Sequence, residues 1–78
     1  MKVKVYSTST CPYCKMAKSF LDENDVPYDD LDVAADAAAR DEMIKRSGQA
    51  GVPVIDIEGE VIIGFDRERL AGFIGKGE

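Results

Sequence analysis

The 78-residue sequence contains no histidine, only two cysteines and no long apolar run. A membrane-spanning helix needs about 20 consecutive apolar residues, and no stretch of the chain approaches that length. The sequence does not open with a charged segment followed by an apolar one, so we expect no signal peptide. These absences predict a protein that does not contact a membrane and that resides in the reducing cytoplasm.

Positive charge is also scarce. The sequence has 10 Lys and Arg residues but 15 Asp and Glu residues, so the formal net charge is −5. Proteins that bind nucleic acids gain most of their affinity by neutralising phosphates. An acidic chain without a basic stripe therefore argues against a nucleic-acid partner. The few basic residues are unevenly placed, since residues 1–18 contain four lysines and no acidic residue. Both cysteines lie in this basic segment.

The apolar residues recur in short blocks that predict a single domain over residues 1–78. Their spacing predicts strands at 2–6, 28–33, 52–57 and 60–63, and helices at 12–24, 37–47 and 67–74. Asp36 is predicted to cap the second helix, and Gly48 is predicted to end it. We expect the last helix to end at Gly75 and residues 58–59 to form a hairpin turn. A β-α-β start makes the first two strands parallel. The sequence therefore predicts an α/β fold of order β-α-β-α-β-β-α, with a four-stranded mixed sheet flanked by three helices.

The cysteines lie three positions apart in a Cys-Pro-Tyr-Cys motif at residues 11–14. A disulfide that closes so short a loop adds little stability, so the pair indicates chemistry rather than a structural bridge. Pro12 fits the first position of a helix. Cys11 then lies at the helix N-terminus, where free N–H groups and the helix dipole favour a thiolate. Cys14 lies one turn later and is suited to resolve a mixed disulfide.

Lys15 and Lys18 follow the motif, and their charge either favours the thiolate or belongs to a solvated helix face. A structural zinc site needs four ligands, usually Cys or His, so zinc binding would require two copies of this chain. An inert buried cysteine pair is the remaining alternative. Met16 is explained by packing rather than by redox chemistry.

Pro53 opens the third predicted strand, after Val52. From the residues alone, a cis bond and a trans proline at a strand edge are equally compatible with this position. A cis bond would turn the backbone of Val52 outward. Its N–H and C=O groups would then face an extended partner chain beside Cys11.

With these motifs the sequence resembles the dithiol glutaredoxins of bacteria. The resemblance rests on the motif at 11–14, the stretch 40–48, Val52-Pro53, and Gly64 with Asp66. It implies a thioredoxin fold and a cis bond before Pro53. It also implies a thiol-disulfide oxidoreductase that reduces protein disulfides and glutathione mixed disulfides. Such an enzyme binds no cofactor, uses glutathione as co-substrate and is expected to be a monomer.

The same resemblance implies which residues act. Cys11 is the nucleophile, Cys14 resolves the mixed disulfide and Lys15 stabilises the thiolate. The residues that contact glutathione or substrate are Tyr13, Gln49, Val52, Pro53, Gly64 and Asp66. Two of these have an alternative explanation, because Tyr13 also fits an exposed ring on a helix tip and Asp66 also fits a helix N-cap, a role compatible with binding glutathione.

Three residues depart from the glutaredoxin pattern. Thr8 stands where the family usually has a lysine, Ile63 replaces the first of two glycines, and Phe65 replaces a small residue. Gly64-Phe65 instead resembles related redoxins that reduce ribonucleotide reductase and are recharged by thioredoxin reductase. That activity is one alternative. The other is an iron–sulfur cluster carrier in which two chains and glutathione hold the cluster.

Overall fold

A computed structural model describes residues 2–74. The strands are β1 (Val3–Ser7), β2 (Asp29–Asp32), β3 (Val54–Ile57) and β4 (Glu60–Ile63), and the helices are α1 (Pro12–Glu23), α2 (Ala37–Ser47) and α3 (Arg67–Ile74). The strand order is β2-β1-β3-β4, with β2 parallel to β1 and the other neighbours antiparallel. The predicted element order and mixed sheet are confirmed. The predicted helix end at Gly75 lies outside the described residues.

The two faces of the sheet bury separate clusters, because successive side chains of a strand point to opposite faces. One cluster joins the sheet to α1 and α3, and its members are Val3, Val5, Ala17, Phe20, Leu21, Ile55, Ile57, Ile62 and Leu70. The other joins the sheet to α2, and its members are Tyr6, Val33, Ala39, Met43 and Val54. The helices therefore cover both faces, as the sequence predicted.

Polar side chains fasten α2 to its face of the sheet. The Tyr6 hydroxyl donates to the Glu42 carboxylate, and Lys4 Nζ lies 3.5 Å from Glu42 Oε1. Burial, followed by the hydrogen bond with Glu42, raises the pKa of Tyr6 above its ordinary value. The same hydrogen bond lowers the pKa of Glu42. Arg46 Nε pairs with Asp56 Oδ2 at 3.0 Å, so the guanidinium group balances the negative charge of the buried Asp56 carboxylate.

The strand bounds differ from the prediction at two places that matter for the site. Ser7 was predicted in a loop but belongs to β1, because it pairs with Asp32 and its carbonyl accepts the Val33 N–H at 3.0 Å. Pro53 was predicted inside the third strand but precedes β3. Proline has no N–H for the strand ladder. Within residues 2–74, none of the helices has both the length and the apolar character that crossing a membrane requires.

Candidate active site

Cys11 occupies the N-cap of α1. Its backbone is extended, with φ −94° and ψ 111°, and its Sγ accepts the N–H of Cys14 at 3.2 Å. Its own N–H donates to the Thr8 carbonyl at 3.4 Å, and Pro12 follows as the first helical residue. An N-cap sulfur that already accepts a backbone N–H is placed to be stabilised as an anion. Cys11 is partly exposed, so an external disulfide can reach it.

Cys14 lies one helical turn further and is fully buried. Burial is the first cause that raises the pKa of its thiol to about 11, and a hydrogen bond with Cys11 adds to the effect. A backbone hydrogen bond from Thr8 and the charge of Lys18 act in the opposite direction. The Cys14 pKa of about 11 means that this group is a thiol at neutral pH.

The chain before β3 forms the wall opposite the thiols. The Val52–Pro53 peptide bond is cis, as the resemblance implied. Cys11 Sγ lies 4.0 Å from the Val52 carbonyl oxygen, and the Pro53 carbonyl accepts the Gly64 N–H at 2.8 Å. Gly64 has a φ of +79°, a conformation that favours glycine. The structure thus brings Cys11, Val52, Pro53 and Gly64 to one end of the sheet.

Large apolar side chains are exposed near this end of the sheet. Tyr13 is 62% exposed and Met16 48% on α1, and Ile63 is 54% exposed at the end of β4. Phe65 is half-buried and packs edge-on against Phe20, with ring centroids 6.2 Å apart. Exposed apolar residues beside a reactive group are typical of surfaces that dock a partner.

Gln49 lies on the same loop as Val52, but its side chain folds onto the backbone. Its Oε1 accepts the Gly51 N–H at 2.7 Å, and its Nε2 donates to the Gly51 carbonyl at 3.1 Å. Any side chain on Gly51 would meet Gln49 Oε1 at 2.7 Å. In this conformation Gln49 shapes the loop that carries Val52.

Asp66 lies at the start of α3, and Lys15 follows Cys14 directly on α1. Asp66 caps α3, because its Oδ1 accepts the Arg69 N–H at 3.2 Å. A carboxylate has a second oxygen, so capping leaves Asp66 able to bind a cation. Lys15 is exposed and lines a groove of about 420 Å³ together with Met16 and Phe65.

Sequence reasoning missed a polar cluster behind Cys14. Lys18 Nζ lies 3.1 Å from Asp30 Oδ2 and 3.4 Å from Ser7 Oγ, and Ser7 Oγ donates to Asp30 Oδ1 at 2.8 Å. Lys18 was expected to be free to act on the thiolate or to be solvated, whereas it is an ion-pair partner. Its place one turn after Cys14 is readable from the sequence. The sequence does not reveal its partner Asp30 on β2, because that contact depends on how α1 packs across the sheet.

A dithiol at a helix N-terminus, faced by a cis-proline loop on a four-stranded mixed sheet, defines a thiol-redox protein of the thioredoxin class. Solved structures agree with this architecture. A mutant of the thioredoxin-like protein BC3987 is similar with a TM-score of 0.88 at 37% identity, covering 97% of this chain and 96% of that one. A glutaredoxin from Archaeoglobus fulgidus gives 0.85 at 26% identity, covering 92% and 84%. The predicted thioredoxin fold is confirmed.

Sequence comparisons place the chain more narrowly. The family model described as Glutaredoxin matches residues 3–62. The chain is 45% identical to glutaredoxin 3 of Escherichia coli over 64 residues, which cover 82% of this chain and 77% of that protein. It is 43% identical over 74 residues to an uncharacterized glutaredoxin-like 8.6 kDa protein in the rubredoxin operon of Clostridium pasteurianum, covering 95% and 99%. The chain belongs to the glutaredoxin family.

Proposed function

We propose that the protein is a glutathione-linked thiol-disulfide oxidoreductase that acts through Cys11 and Cys14. The observation that carries this proposal is the contrast between the two sulfurs. Cys11 is partly exposed, accepts a backbone N–H at a helix start and faces Val52, whereas Cys14 is buried behind it. This contrast supports external attack by Cys11 and an intramolecular step by Cys14.

In the proposed cycle, the Cys11 thiolate attacks a substrate disulfide. A Cys11–substrate disulfide forms, the substrate disulfide breaks, and the first substrate thiolate leaves and takes up a proton. Cys14 then attacks Cys11 Sγ and releases the second thiol. The substrate has gained two electrons. The two cysteine thiols have lost them and now form the Cys11–Cys14 disulfide. Two glutathione molecules return the electrons and leave as glutathione disulfide.

Glutathione serves in this proposal as a co-substrate, and the sulfurs carry the chemistry without a bound cofactor. Tyr13 would flank the bound tripeptide, the Val52 backbone would pair with it, and Gly64 would let its backbone approach. The free oxygen of Asp66 would accept its ammonium group. The identity with glutaredoxin 3 supports this assignment. We further propose that the protein acts as a monomer in the cytoplasm, where thiols are kept reduced.

A redoxin recharged by thioredoxin reductase is the second candidate. Glutathione carboxylates need a cationic or amide partner, but the usual lysine is Thr8 and the Gln49 amide is bound to Gly51. Losing one charge-assisted hydrogen bond typically costs about 1.5–3 kcal/mol. Ile63 also adds exposed bulk beside Gly64. These features favour a protein reductase over glutathione, and such redoxins donate electrons to ribonucleotide reductase.

The test compares the two electron donors on one substrate, a mixed disulfide of glutathione. One reaction contains glutathione, glutathione reductase and NADPH, and the other contains thioredoxin reductase and NADPH. We expect turnover with glutathione that saturates only weakly. Rapid turnover with thioredoxin reductase and none with glutathione would replace the first proposal by the second.

A matched variant links the outcome to the site. The double change Thr8→Lys with Ile63→Gly should lower the glutathione KM about tenfold, because it restores a carboxylate partner and removes bulk. Ala38→Lys adds the same charge on the exposed face of α2 and serves as the control. An equal effect of Ala38→Lys would mean that overall charge, and not the site, sets the KM.

A further inference from the structure

The ammonium group of Lys18 is partly buried and held by two partners on the sheet. Lys18 and Cys14 are four residues apart on α1, a spacing that places two side chains on the same helix face. That face meets the ends of β1 and β2. There Lys18 Nζ lies 3.1 Å from Asp30 Oδ2 and 3.4 Å from Ser7 Oγ, and the lysine side chain is only 22% exposed.

Ser7 completes this arrangement. It is 2% exposed, and its hydroxyl donates to Asp30 Oδ1 at 2.8 Å while accepting from Lys18. The hydroxyl therefore holds the carboxylate and the ammonium group in one fixed geometry. A lysine needed only for solubility would not require a buried hydroxyl and a partner on another element.

Few charged groups face the buried Cys14. Burial and Cys11 raise the pKa of Cys14, whereas the Thr8 N–H and the Lys18 charge lower it. From β2, Asp30 faces this region and is bonded to Lys18. The loop before β3 contributes the uncharged Val52 next to Cys11. On α3, Arg67 lies over the Phe20 ring, with its Cζ 5.7 Å from the ring centroid.

We propose that Lys18, fixed by Asp30 and Ser7, promotes the resolving step by stabilising the Cys14 thiolate that closes the Cys11–Cys14 disulfide. This inference rests on the proposed function, in which Cys14 resolves the mixed disulfide. Lys18 acts through Cys14, remains an ammonium ion throughout and exchanges no proton in the step.

The resolving step forms one disulfide and breaks another. Cys14 releases its proton to solvent, its thiolate attacks Cys11 Sγ, and the Cys11–substrate disulfide breaks. The leaving thiolate takes up a proton, so none is consumed. Cys11 carries no charge in the mixed disulfide, so it no longer raises the pKa of Cys14 at this stage. Burial is then the main obstacle, and Lys18 is the charge that opposes it.

The test is a stopped-flow reaction of the reduced protein with one equivalent of dithiobis(nitrobenzoate). Attack by Cys11 releases one coloured thiolate, and attack by Cys14 on the mixed disulfide releases the second. The two phases therefore report the two sulfurs separately, and each is recorded from neutral to alkaline pH. The variant is Lys18→Gln, which keeps a hydrogen-bond donor for Asp30 but removes the charge.

We expect Lys18→Gln to leave the first phase unchanged and to slow the second about twofold at neutral pH. Loss of the charge lowers the fraction of Cys14 present as thiolate, and this loss is partly offset because the thiolate of a less acidic thiol is more reactive. For the same reason the two pH profiles should cross. Above the Cys14 pKa both proteins hold the thiolate, and the variant should then be the faster one.

Lys18→Arg keeps the charge and should restore the second phase to the rate of the unmodified protein. Lys45→Gln removes one exposed lysine from α2 and should change neither phase. Thermal unfolding of each variant verifies that the fold is retained. An unchanged second phase in Lys18→Gln would overturn the proposal, as would slowing by the same factor at every pH, which indicates a structural role. Absence of a second phase in the unmodified protein would instead refute the proposed function.

Discussion

At the scale of single residues, the two cysteines differ in exposure more than in position. Cys11 is partly exposed and Cys14 is fully buried. We predict that Cys11→Ser abolishes all reductase activity, because the attacking thiolate is gone. Cys14→Ser should lose the reduction of protein disulfides yet retain reduction of glutathione mixed disulfides, which needs one thiol. Rates with a protein disulfide and with a glutathione mixed disulfide measure the two activities.

Serine is close in size to cysteine, so Cys11→Ser should unfold at a temperature near that of the unmodified protein. Cys14→Ser places a hydroxyl at a buried position and should lose about 1–3 kcal/mol of unfolding free energy while still folding. This control separates loss of chemistry from loss of fold. If Cys14→Ser were inactive on the mixed disulfide while Cys11→Ser retained activity, the roles of the two sulfurs would be exchanged.

The residues of the site differ in how far the sequence could predict them. The cysteines and Pro53 belong to short motifs whose geometry follows from local spacing. The role of Gln49 could not be predicted, because its amide can form hydrogen bonds either with a ligand or with the Gly51 backbone. The ion pair between Lys18 and Asp30 joins residues twelve positions apart on two elements. Such contacts depend on tertiary packing, which local patterns do not specify.

At the scale of elements, two aspartates cap helices with a side-chain oxygen. Asp36 Oδ1 accepts the Ala38 and Ala39 N–H groups at 3.0 and 3.1 Å on α2, and Asp66 Oδ1 accepts the Arg69 N–H at 3.2 Å on α3. Replacing either with alanine should lower the free energy of unfolding by about 1 kcal/mol. Only Asp66→Ala should also raise the glutathione KM, because only Asp66 is proposed to bind glutathione.

Denaturant unfolding and steady-state kinetics on the two variants make this comparison. Asp36→Ala is the control for helix capping, since each variant loses an aspartate that caps a helix. Equal KM values in both variants would show that Asp66 serves as a cap alone.

The loop between α2 and β3 offers a second test at this scale. Gly51→Ala places a Cβ 2.7 Å from Gln49 Oε1, so the Gln49 side chain must rotate and release both bonds to Gly51. We expect a loss of about 1 kcal/mol in unfolding free energy, since each exposed bond is worth about 0.5 kcal/mol. The KM should rise as well, because this loop positions Val52.

The double variant Gln49→Ala with Gly51→Ala tests the cause. The clash no longer exists in that protein, so its loss of stability should match that of Gln49→Ala alone. A loss equal to the sum of both single variants would mean that the alanine strains the backbone and does not act through Gln49.

Helices and strands were predictable because their signals are local. Pro12, Asp36 and Gly48 mark helix ends through N–H geometry and positive φ, and each stands where the sequence placed it. The end of β1 was wrong by one residue at Ser7. That residue is polar but buried, and its strand pairing comes from β2, which no pattern around Ser7 reveals.

At the scale of the whole molecule, stability should depend on pH at both extremes. The pKa of Tyr6 is raised above 10.0 in the folded protein, and that of Cys14 above 9.0, so the folded state holds these protons more tightly. Below pH 9 these two groups contribute their full share to the free energy of unfolding. That share is lost as the pH rises above 9 for Cys14 and above 10 for Tyr6. The pKa of Glu42 is lowered from 4.5, so its contribution is lost as pH falls below that value.

Tyr6→Phe should therefore flatten both limbs of the curve of unfolding free energy against pH, because it removes the hydroxyl and the hydrogen bond to Glu42. At neutral pH we expect a loss of about 0.5–1 kcal/mol, since the exposed carboxylate is partly screened by water. Denaturant unfolding across the pH range measures the curve. Glu42→Gln is the matched variant and should flatten the acid limb more than the alkaline one. An alkaline limb unchanged in Tyr6→Phe would assign that limb to Cys14 or to Tyr28, because burial raises the pKa of both groups.

The outer strand β2 has a consequence for the behaviour of many copies in solution. It is an edge of the sheet, and three of its four residues are aspartates, all exposed. An edge strand can pair with the same edge of another molecule and extend into an aggregate. Here two such edges would bring rows of carboxylates together, and their repulsion opposes that pairing. The strand that supplies Asp30 to the cluster behind Cys14 thus also helps to keep concentrated protein from assembling into sheets.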